Sequence, residues 1–105
     1  MDDTPKLSHT SALLLQTIRS GYSYGFDIMD VTGLPSGTVY PALRRLQQLE
    51  LIKSNWEGER TAFAEQRPPR KYYRLTREGK ETLAKALERY ALFEQLVTAE
   101  KSKRR

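Results

Sequence analysis

Apolar residues recur at helical spacing in the first part of the chain. In "LSHTSALLLQTIRSGYS", Leu14 and Ile18 lie four positions apart, hydroxyl-bearing residues precede them and Gly21 follows. This pattern predicts a first helix with a polar cap at its start and a glycine at its end. The next segment, "SYGFDIMDVTG", predicts a second helix of about two turns, capped by Ser23 and stopped by Gly33.

The stretch "LPSGTVYPALRRLQQLELI" predicts a third helix, because Val39, Leu43 and Leu46 follow an i, i+4, i+7 spacing that places them on one face. Pro41 stands within this pattern, although a proline inside a helix costs about 3 kcal/mol. We therefore expect Thr38 to cap the helix, which puts Pro41 at the third helical position, where a missing donor has no partner anyway. Two helices joined by a short turn containing glycine are typical of a helix-turn-helix, whose second helix is presented outward.

After the third helix the period changes from helical to alternating. "LIKSNWE" and "RKYYRLT" alternate between apolar and polar positions, which predicts two strands that can pair as a hairpin. The segment between them, "GERTAFAEQRPP", contains Gly58 and a Pro68-Pro69 pair and predicts a long, mobile loop of about a dozen residues. A long loop between paired strands beside a helix-turn-helix is a wing.

The final segment predicts a helix over residues 77–100 with Thr76 as its cap, although Gly79 occupies the position where a capping box has Glu. At 1.5 Å per residue this helix is about 36 Å long, more than a core of this size covers. Its apolar stripe therefore predicts a dimer interface. The stripe consists of Leu83, Leu87, Tyr90, Phe93, Leu96 and Val97. The alternative for Tyr90 and Phe93 is the lining of a ligand pocket between subunits.

These elements predict a mainly α fold with a small β-hairpin. A winged helix-turn-helix domain is expected over residues 7–76 and a C-terminal dimerisation helix over residues 77–100, with disordered tails at 1–6 and 101–105. The length of 105 residues and the 38% hydrophobic content suit one domain with one modest core.

Composition narrows the function. Eighteen Lys and Arg against thirteen Asp and Glu give a net charge of +5, which favours a polyanionic partner if the charge is clustered. The chain has no cysteine, and a lone His9, expected at the surface, makes no metal cluster, so neither a metal nor a cofactor is implied. The sequence contains no Gly-rich phosphate loop, nucleophile pair or spaced acidic cluster, which argues against an enzyme.

Targeting signals are also missing from the sequence. No apolar run approaches the roughly 18 residues that span a bilayer, and the start "MDDTPKLSH" is acidic and polar, unlike a signal peptide. We therefore expect a soluble, cytoplasmic protein without a membrane partner.

The outward arc of the third helix has the chemistry of a face that enters the DNA major groove. On a helical wheel at about 100° per residue, Arg44 and Gln48 point away from the core. Arg binds guanine through two donors, Gln reads adenine, and hydroxyl groups bind phosphates. The candidate DNA-binding residues on this helix are Ser36, Thr38, Tyr40, Pro41, Arg44, Arg45 and Gln48. The alternative is a solvated helix face whose arginines serve solubility.

A second group of DNA-binding candidates lies at the end of the predicted wing. Arg67, Arg70 and Lys71 flank the stiff Pro-Pro step, and arginines on wings reach into minor grooves or onto flanking phosphates. Acidic residues in the first half of the loop, such as Glu57, favour a merely solvated loop there. Neighbouring aromatics offer a stacking platform for single-stranded nucleic acid. We instead expect those aromatics, Trp56, Tyr72 and above all Tyr73, in the core or at its edge.

Three motifs together resemble the PadR-like transcriptional regulators: "GYSYGFDI", "PSGTVYPALRRLQQLELI" and "RPPRKYYRLTREGKETL", in this order. The resemblance covers roughly residues 8–97. It implies a winged helix-turn-helix, a homodimer through the C-terminal helix and, usually, repression. Carried onto matching positions, it implies a DNA-binding role for Thr38, Tyr40, Pro41 and Arg44 in the third helix and for Arg67, Arg70 and Lys71 in the wing.

One position departs from the family pattern, which commonly has Gly where this chain has Glu50. If Glu50 is left-handed, the residue costs about 1 kcal/mol; otherwise the turn differs.

The sequence thus predicts a repressor that binds a pseudo-palindromic operator in double-stranded DNA as a homodimer. Its third helix would lie in the major groove and its wing on the flanking minor groove or backbone, with half-sites roughly 34 Å apart. The alternative is a winged-helix module that binds protein and uses its basic face only for solubility. A single C-terminal helix offers little material for an effector site, so a small-molecule effector is left open.

Overall fold

The computed structural model describes residues 6–103, which form five helices and a two-stranded antiparallel hairpin. The elements are α1 (His9–Arg19), α2 (Gly25–Thr32), α3 (Ser36–Gln48), β1 (Ile52–Trp56), α4 (Glu59–Ala64), β2 (Lys71–Leu75) and α5 (Arg77–Lys103). The predicted fold class is confirmed. The predicted tails fall largely outside the described residues, and α5 ends at Lys103 rather than at residue 100. None of the helices within residues 6–103 combines the length and the apolar character needed to cross a membrane.

The ends of α1 follow the sequence, because they depend on local hydrogen bonds. Ser8 Oγ accepts a hydrogen bond from the Ser11 amide at 3.1 Å, which caps the helix. Ser20 donates back to the Gln16 carbonyl, and Gly21, with φ of 103°, takes the left-handed conformation that turns the chain away.

The start of α2 differs from the prediction. Tyr24, and not Ser23, occupies the N-cap position, and no side chain caps this helix. The carbonyl of Ser23 instead accepts a hydrogen bond from the Tyr73 amide at 2.7 Å, and Tyr24 forms a β-bridge with Tyr72. The segment before α2 therefore lies beside β2 and extends the edge of the sheet. The predicted stop is confirmed, since Gly33 is left-handed, with φ of 73°.

Helix α3 begins earlier than predicted, and the expectation that Thr38 caps it is wrong. Pro35 is the N-cap, and its carbonyl accepts hydrogen bonds from the amides of both Thr38 and Val39 at 3.0 Å. Pro41 therefore lies inside the helix, where it cannot donate to the carbonyl of Gly37. Gly37 and Pro41 are both exposed, so water can solvate the carbonyl that lacks its usual donor.

One hydrophobic core joins the helices to the hairpin. The inward face predicted for α3 is confirmed, because Val39, Leu43 and Leu46 are fully buried. The core also takes residues from every other element except α4, namely Leu14, Leu15, Ile18, Ile28, Leu51, Ile52, Tyr73, Leu75 and Leu83. Leu83 is 0% exposed, as is Ala86, so the first turns of α5 belong to the winged-helix core rather than to a separate dimerisation unit.

The wing contains a helix where the sequence predicted a mobile loop. The two strands pair in the register Ile52 with Leu75 through Trp56 with Lys71, as a hairpin. Between them α4 spans Glu59–Ala64. The prediction of a loop is therefore wrong. The helix was not recognised because Ala62 is its single buried residue, so its sequence shows no apolar periodicity.

The turn between α3 and β1 is left-handed at Glu50, whose φ is 60°. Two contacts hold this strained turn: the Thr76 hydroxyl donates to the Glu50 carbonyl at 2.7 Å, and the Thr76 amide donates to the Leu51 carbonyl at 3.0 Å. The same hydroxyl accepts from the Gly79 amide at 3.0 Å, which confirms Thr76 as the cap of α5. A Cβ on Gly79 would collide with the Leu51 carbonyl, so this close approach requires glycine where a capping box has Glu.

Candidate nucleic-acid interface

A groove of about 730 Å³ separates α3 and the start of α2 from the wing, and we call it the wing groove. Its lining comprises Tyr40, Arg44 and Gln47 of α3, residues 24–26, Trp56, residues 67–71 and Tyr73. Five of the predicted DNA-binding residues meet here, namely Tyr40, Arg44, Arg67, Arg70 and Lys71.

Two tyrosines and a glycine shape the base of the wing groove. The ring of Tyr40 packs so closely on Gly25 that a Cβ there would collide with the tyrosine hydroxyl. Tyr73 is buried, as predicted, and burial raises the pKa of its phenol, with a further increase from Tyr40 and a decrease from Arg44. The Tyr73 hydroxyl is therefore a neutral hydrogen-bonding group beside Arg44 at neutral pH.

The α3 candidates divide between two faces of the helix. Tyr40 and Arg44 face the wing groove together with Gln47, which the sequence analysis did not single out, at i, i+4 and i+7. Pro41, Arg45 and Gln48 are exposed but do not line the groove. Ser36 is exposed at the start of α3 and Thr38 is half-buried there.

Arg67 has a structural partner that was not predicted. Its Nη1 lies 2.5 Å from Oε1 of Glu57 and its Nη2 lies 2.9 Å from Oε2. The hydrogen bond from Arg67 outweighs burial and, with help from the Arg70 amide and the Tyr72 hydroxyl, lowers the pKa of Glu57 to about 2. The two charges neutralise each other at the base of the wing, so Glu57 is not a merely solvated loop residue, whereas the predicted DNA-binding role of Arg67 stays a prediction.

Arg70 and Lys71 lie over aromatic rings instead of carboxylates. The Cζ atom of Arg70 is 4.1 Å from the centroid of the Tyr24 ring, and Lys71 Nζ is 5.8 Å from the rings of both Trp56 and Tyr73. Among the described residues, neither of these cations nor Arg44 forms an ion pair with a carboxylate. All three remain able to bind an anion.

Trp56 does not lie in the core, contrary to prediction. It is 68% exposed, and Phe26 at the start of α2 is 74% exposed, and both line the wing groove. Tyr72 is half-buried and contacts Tyr24 edge-to-face, with ring centroids 5.6 Å apart. The place of Phe26 in this groove was not predicted, because it arises only when the wing packs beside α2.

The residues of the apolar stripe predicted on α5 differ in their exposure to solvent. Leu87 and Leu96 are exposed, Leu83 is in the core, and the side chains of Phe93 and Val97 lie outside the described residues. Tyr90 is half-buried, with its ring stacked on the exposed His9 at 4.7 Å between centroids. Leu92, which is not part of the predicted stripe, is exposed four positions before Leu96 and adds to its apolar face.

A family profile and two solved structures above 25% identity indicate the same family. The sequence profile described as "Transcriptional regulator PadR-like family" matches residues 14–85, more than half of the chain. A PadR family transcription regulator from Clostridium difficile has a similar structure, with 27% identity, a TM-score of 0.77, and coverage of 88% of this chain and 97% of the other.

A PadR-like transcription factor from Bacteroides fragilis is 26% identical over 85% of this chain and 86% of the other, with a TM-score of 0.70. A PadR-like regulator from Bacillus cereus, at 24% identity, shares the fold with a TM-score of 0.70 over 85% of this chain and 87% of the other. No protein with curated annotation matches the chain.

Proposed function

The chain belongs to the PadR-like family of transcriptional regulators, and we propose that it is a homodimeric repressor that binds a specific site in double-stranded DNA. Helix α3 enters the major groove, and the wing lies on the flanking minor groove or the phosphate backbone. Membership of a family of transcriptional regulators supports the view that the protein is a binding protein rather than an enzyme.

The observation that carries this proposal is the set of unpaired cations on both sides of the wing groove. Arg44 of α3 faces Arg70 and Lys71 of the wing, and no Asp or Glu is among the described residues that line this groove. Their separation on two elements suits a duplex, whose major groove admits a helix while the adjacent backbone meets a second element. Arg67 is excluded from this set because Glu57 neutralises it.

Individual roles follow from position and chemistry. Arg44 and Gln48 read base edges, while Tyr40 and the exposed Ser36 and Arg45 bind phosphates near the start and flank of α3. Thr38 is half-buried and contributes to the interface indirectly. Its amide donates a hydrogen bond to the Pro35 carbonyl and so helps to form the first turn of α3.

The wing contributes Arg70 and Lys71, which bind phosphates or enter the minor groove. The exposed ring of Pro41 contacts a sugar or a thymine methyl group.

Dimerisation rests on α5, which continues past the core. Beyond Ala86 this helix presents Leu87, Leu92 and Leu96 to solvent, an apolar surface that a second copy of the chain would bury. A two-fold axis through this helix places two copies of α3 on half-sites of a pseudo-palindromic operator, about one helical turn, roughly 34 Å, apart. Repression follows where such a site overlaps a promoter.

The test is retardation of genomic DNA fragments from the source of the protein. We expect binding that weakens steeply with salt, since each phosphate contact contributes about −0.9 to the slope of log K against log salt. Arg44→Ala combined with Arg70→Ala should reduce affinity at least roughly tenfold, at about 1–3 kcal/mol per lost contact.

The matched control is Arg19→Ala, an exposed arginine at the end of α1, which should leave DNA affinity unchanged. Absence of retardation of every fragment at low salt would reject the proposal and favour a protein-binding winged-helix module.

A further inference from the structure

The wing groove has flat apolar walls that are open to solvent. Phe26 and Trp56 are 74% and 68% exposed, and both line it together with Pro68 and Pro69. Large aromatic side chains that cluster at the surface of a folded chain mark a binding site, because their apolar area remains in contact with water until a partner covers it. The phosphate groups of a DNA backbone are polar and charged and do not by themselves cover such walls.

The same groove carries positive charge without compensation. Arg44, Arg70 and Lys71 reach it, no carboxylate belongs to its described lining, and Glu57 next to it is neutralised by Arg67. Arg70 lies with its guanidinium over the ring of Tyr24 at 4.1 Å, and this arrangement leaves the edge N–H donors of a guanidinium available. The groove therefore offers stacking surfaces and anion-binding donors side by side.

From these two properties we infer that the wing groove binds a small molecule made of a flat aromatic ring and a group with at least two negative charges, the chemistry of a nucleoside diphosphate. The ring stacks on Trp56 and Phe26, and the phosphates bind Arg44, Arg70 and Lys71. The volume of about 730 Å³ falls in the range of small-molecule sites, roughly 300–1,000 Å³.

The charge of the groove selects against simpler ligands. A neutral aromatic molecule would displace water from three cations and replace none of their hydrogen bonds, which is costly. A single carboxylate would neutralise one cation and leave the other two unpaired in a site that the ring has partly closed to water. Phosphate oxygens, by contrast, can accept hydrogen bonds from several donors at once.

Ligand and DNA would then exclude each other. This step rests on the proposed function, in which Arg44, Arg70 and Lys71 contact the operator. Because both partners use the same three cations, the ligand lowers DNA affinity and DNA lowers ligand affinity by the same factor. The groove would thus make DNA binding responsive to a small anion without a separate effector domain.

Trp56 makes the inference directly measurable, since it is the single tryptophan of the chain and lines the groove. The full chain is titrated without DNA while its tryptophan fluorescence is recorded, using ADP, adenosine and inorganic pyrophosphate as probes. We expect saturable quenching by ADP, with affinity at least roughly tenfold weaker for adenosine and for pyrophosphate. No saturable change with ADP, or equal affinity for either fragment, overturns the inference.

A further titration separates the free ligand from the nucleotides of DNA, which share its chemistry. A short single-stranded oligonucleotide is added in place of ADP. If the oligonucleotide quenches Trp56 and ADP does not, the groove takes a nucleotide of a DNA strand, and the small-molecule proposal is overturned.

Two phenylalanines provide a matched pair of variants. Phe26→Ala removes a wall of the groove, whereas Phe63→Ala removes an 86% exposed phenylalanine on α4 that does not line it. We expect Phe26→Ala to weaken ADP binding roughly fivefold or more, and Phe63→Ala to leave both ADP binding and DNA retardation unchanged. Unchanged ADP affinity in Phe26→Ala overturns the inference, while circular dichroism verifies the fold of each variant.

The last measurement adds ADP to the complex of the wild-type protein with DNA. Release of DNA at the ADP concentrations that quench Trp56 supports the competition, and retention of DNA at saturating ADP overturns it. If no DNA complex forms at all, the proposed function fails, whereas the fluorescence result still decides whether the groove binds the ligand.

Discussion

Arg67 and Glu57 face each other across the base of the wing, ten positions apart in sequence, and join through two parallel hydrogen bonds of 2.5 and 2.9 Å. The carboxylate also accepts hydrogen bonds from the Tyr72 hydroxyl at 3.1 Å and from the Arg70 amide at 3.4 Å. Glu57 thereby ties the end of β1 to the segment that returns from α4 and to β2. The ion pair therefore holds the backbone of Arg70, a cation that forms no ion pair with a carboxylate among the described residues.

The first prediction concerns acid stability. The pKa of Glu57 is lowered from 4.5 to about 2 in the folded protein, so its contribution to stability is complete above pH 4.5 and is lost as the pH falls towards 2. Glu57→Gln should therefore be less stable than wild type at neutral pH, and the difference should shrink through this interval. Urea denaturation across the pH range measures it.

The exposed pair Arg77–Glu81, with 3.4 Å between Nε and Oε1, is the control for this experiment. Exposed ion pairs contribute little, so Glu81→Gln should change the free energy of unfolding by less than about 1 kcal/mol. A stability difference for Glu57→Gln that stays constant between pH 4.5 and 2 would contradict the role of the carboxylate charge.

The second prediction concerns the contact of α5 with the turn after α3. Gly79→Ala should lower the free energy of unfolding by about 2–3 kcal/mol, because its Cβ would push the Leu51 carbonyl out of place. Gly37→Ala is the control: it lies in α3 with open space around it and should raise stability by roughly 0.5–1 kcal/mol. Chemical denaturation of both variants checks the opposite signs.

The third prediction concerns the left-handed residue Glu50. Its φ of 60° is a conformation that glycine adopts without steric cost, so Glu50→Gly should stabilise the protein by about 1 kcal/mol. Glu50→Ala should give no such gain, because alanine keeps the Cβ. Thermal unfolding monitored by circular dichroism distinguishes the two, and a destabilising Glu50→Gly would contradict this prediction.

The fourth prediction follows from the position of Pro41 inside α3. Pro41→Ala restores a backbone donor towards Gly37 and should raise the free energy of unfolding by about 1–3 kcal/mol. Under the proposed function the same variant loses DNA affinity, since the ring no longer contacts the operator. A variant that gains stability and keeps full affinity would remove Pro41 from the interface.

The fifth prediction tests the proposed dimer. Leu92→Glu combined with Leu96→Glu introduces charge on the exposed apolar face of α5 and should yield monomers in analytical ultracentrifugation. Val31→Glu, an exposed apolar residue on α2, is the control and should leave the assembly unchanged. A dimer that survives the double substitution would place the subunit interface elsewhere.

Local patterns in the sequence were sufficient for most of the elements. The α3 core face Val39, Leu43 and Leu46, the two strands, the polar cap of α1 and the Thr76 cap of α5 depend on spacing and on hydrogen bonds within a few residues. Such interactions form within one segment of the chain, so they do not depend on where that segment lies in the fold. The positive charge and the resemblance of three motifs to one family were likewise visible in the sequence.

Tertiary structure decided which side chains meet. The hydrogen bond from Tyr73 to Ser23 displaced the predicted cap of α2, and Arg67, a predicted DNA-binding residue, formed an ion pair with Glu57. Leu83 joined the core instead of an interface. Each outcome depends on segments that are distant in sequence and become neighbours only when the chain packs, so no local pattern encodes it.

The wing groove itself arises in the same way. The sequence determined that the chain carries Arg44, Arg70 and Lys71 in a winged-helix framework, whereas packing of the wing beside α2 placed those cations next to Phe26 and Trp56. Hydrogen bonding within the wing pairs Arg67 with Glu57 and leaves Arg44, Arg70 and Lys71 without a carboxylate partner among the described residues, because only the folded chain brings Glu57 within reach of Arg67.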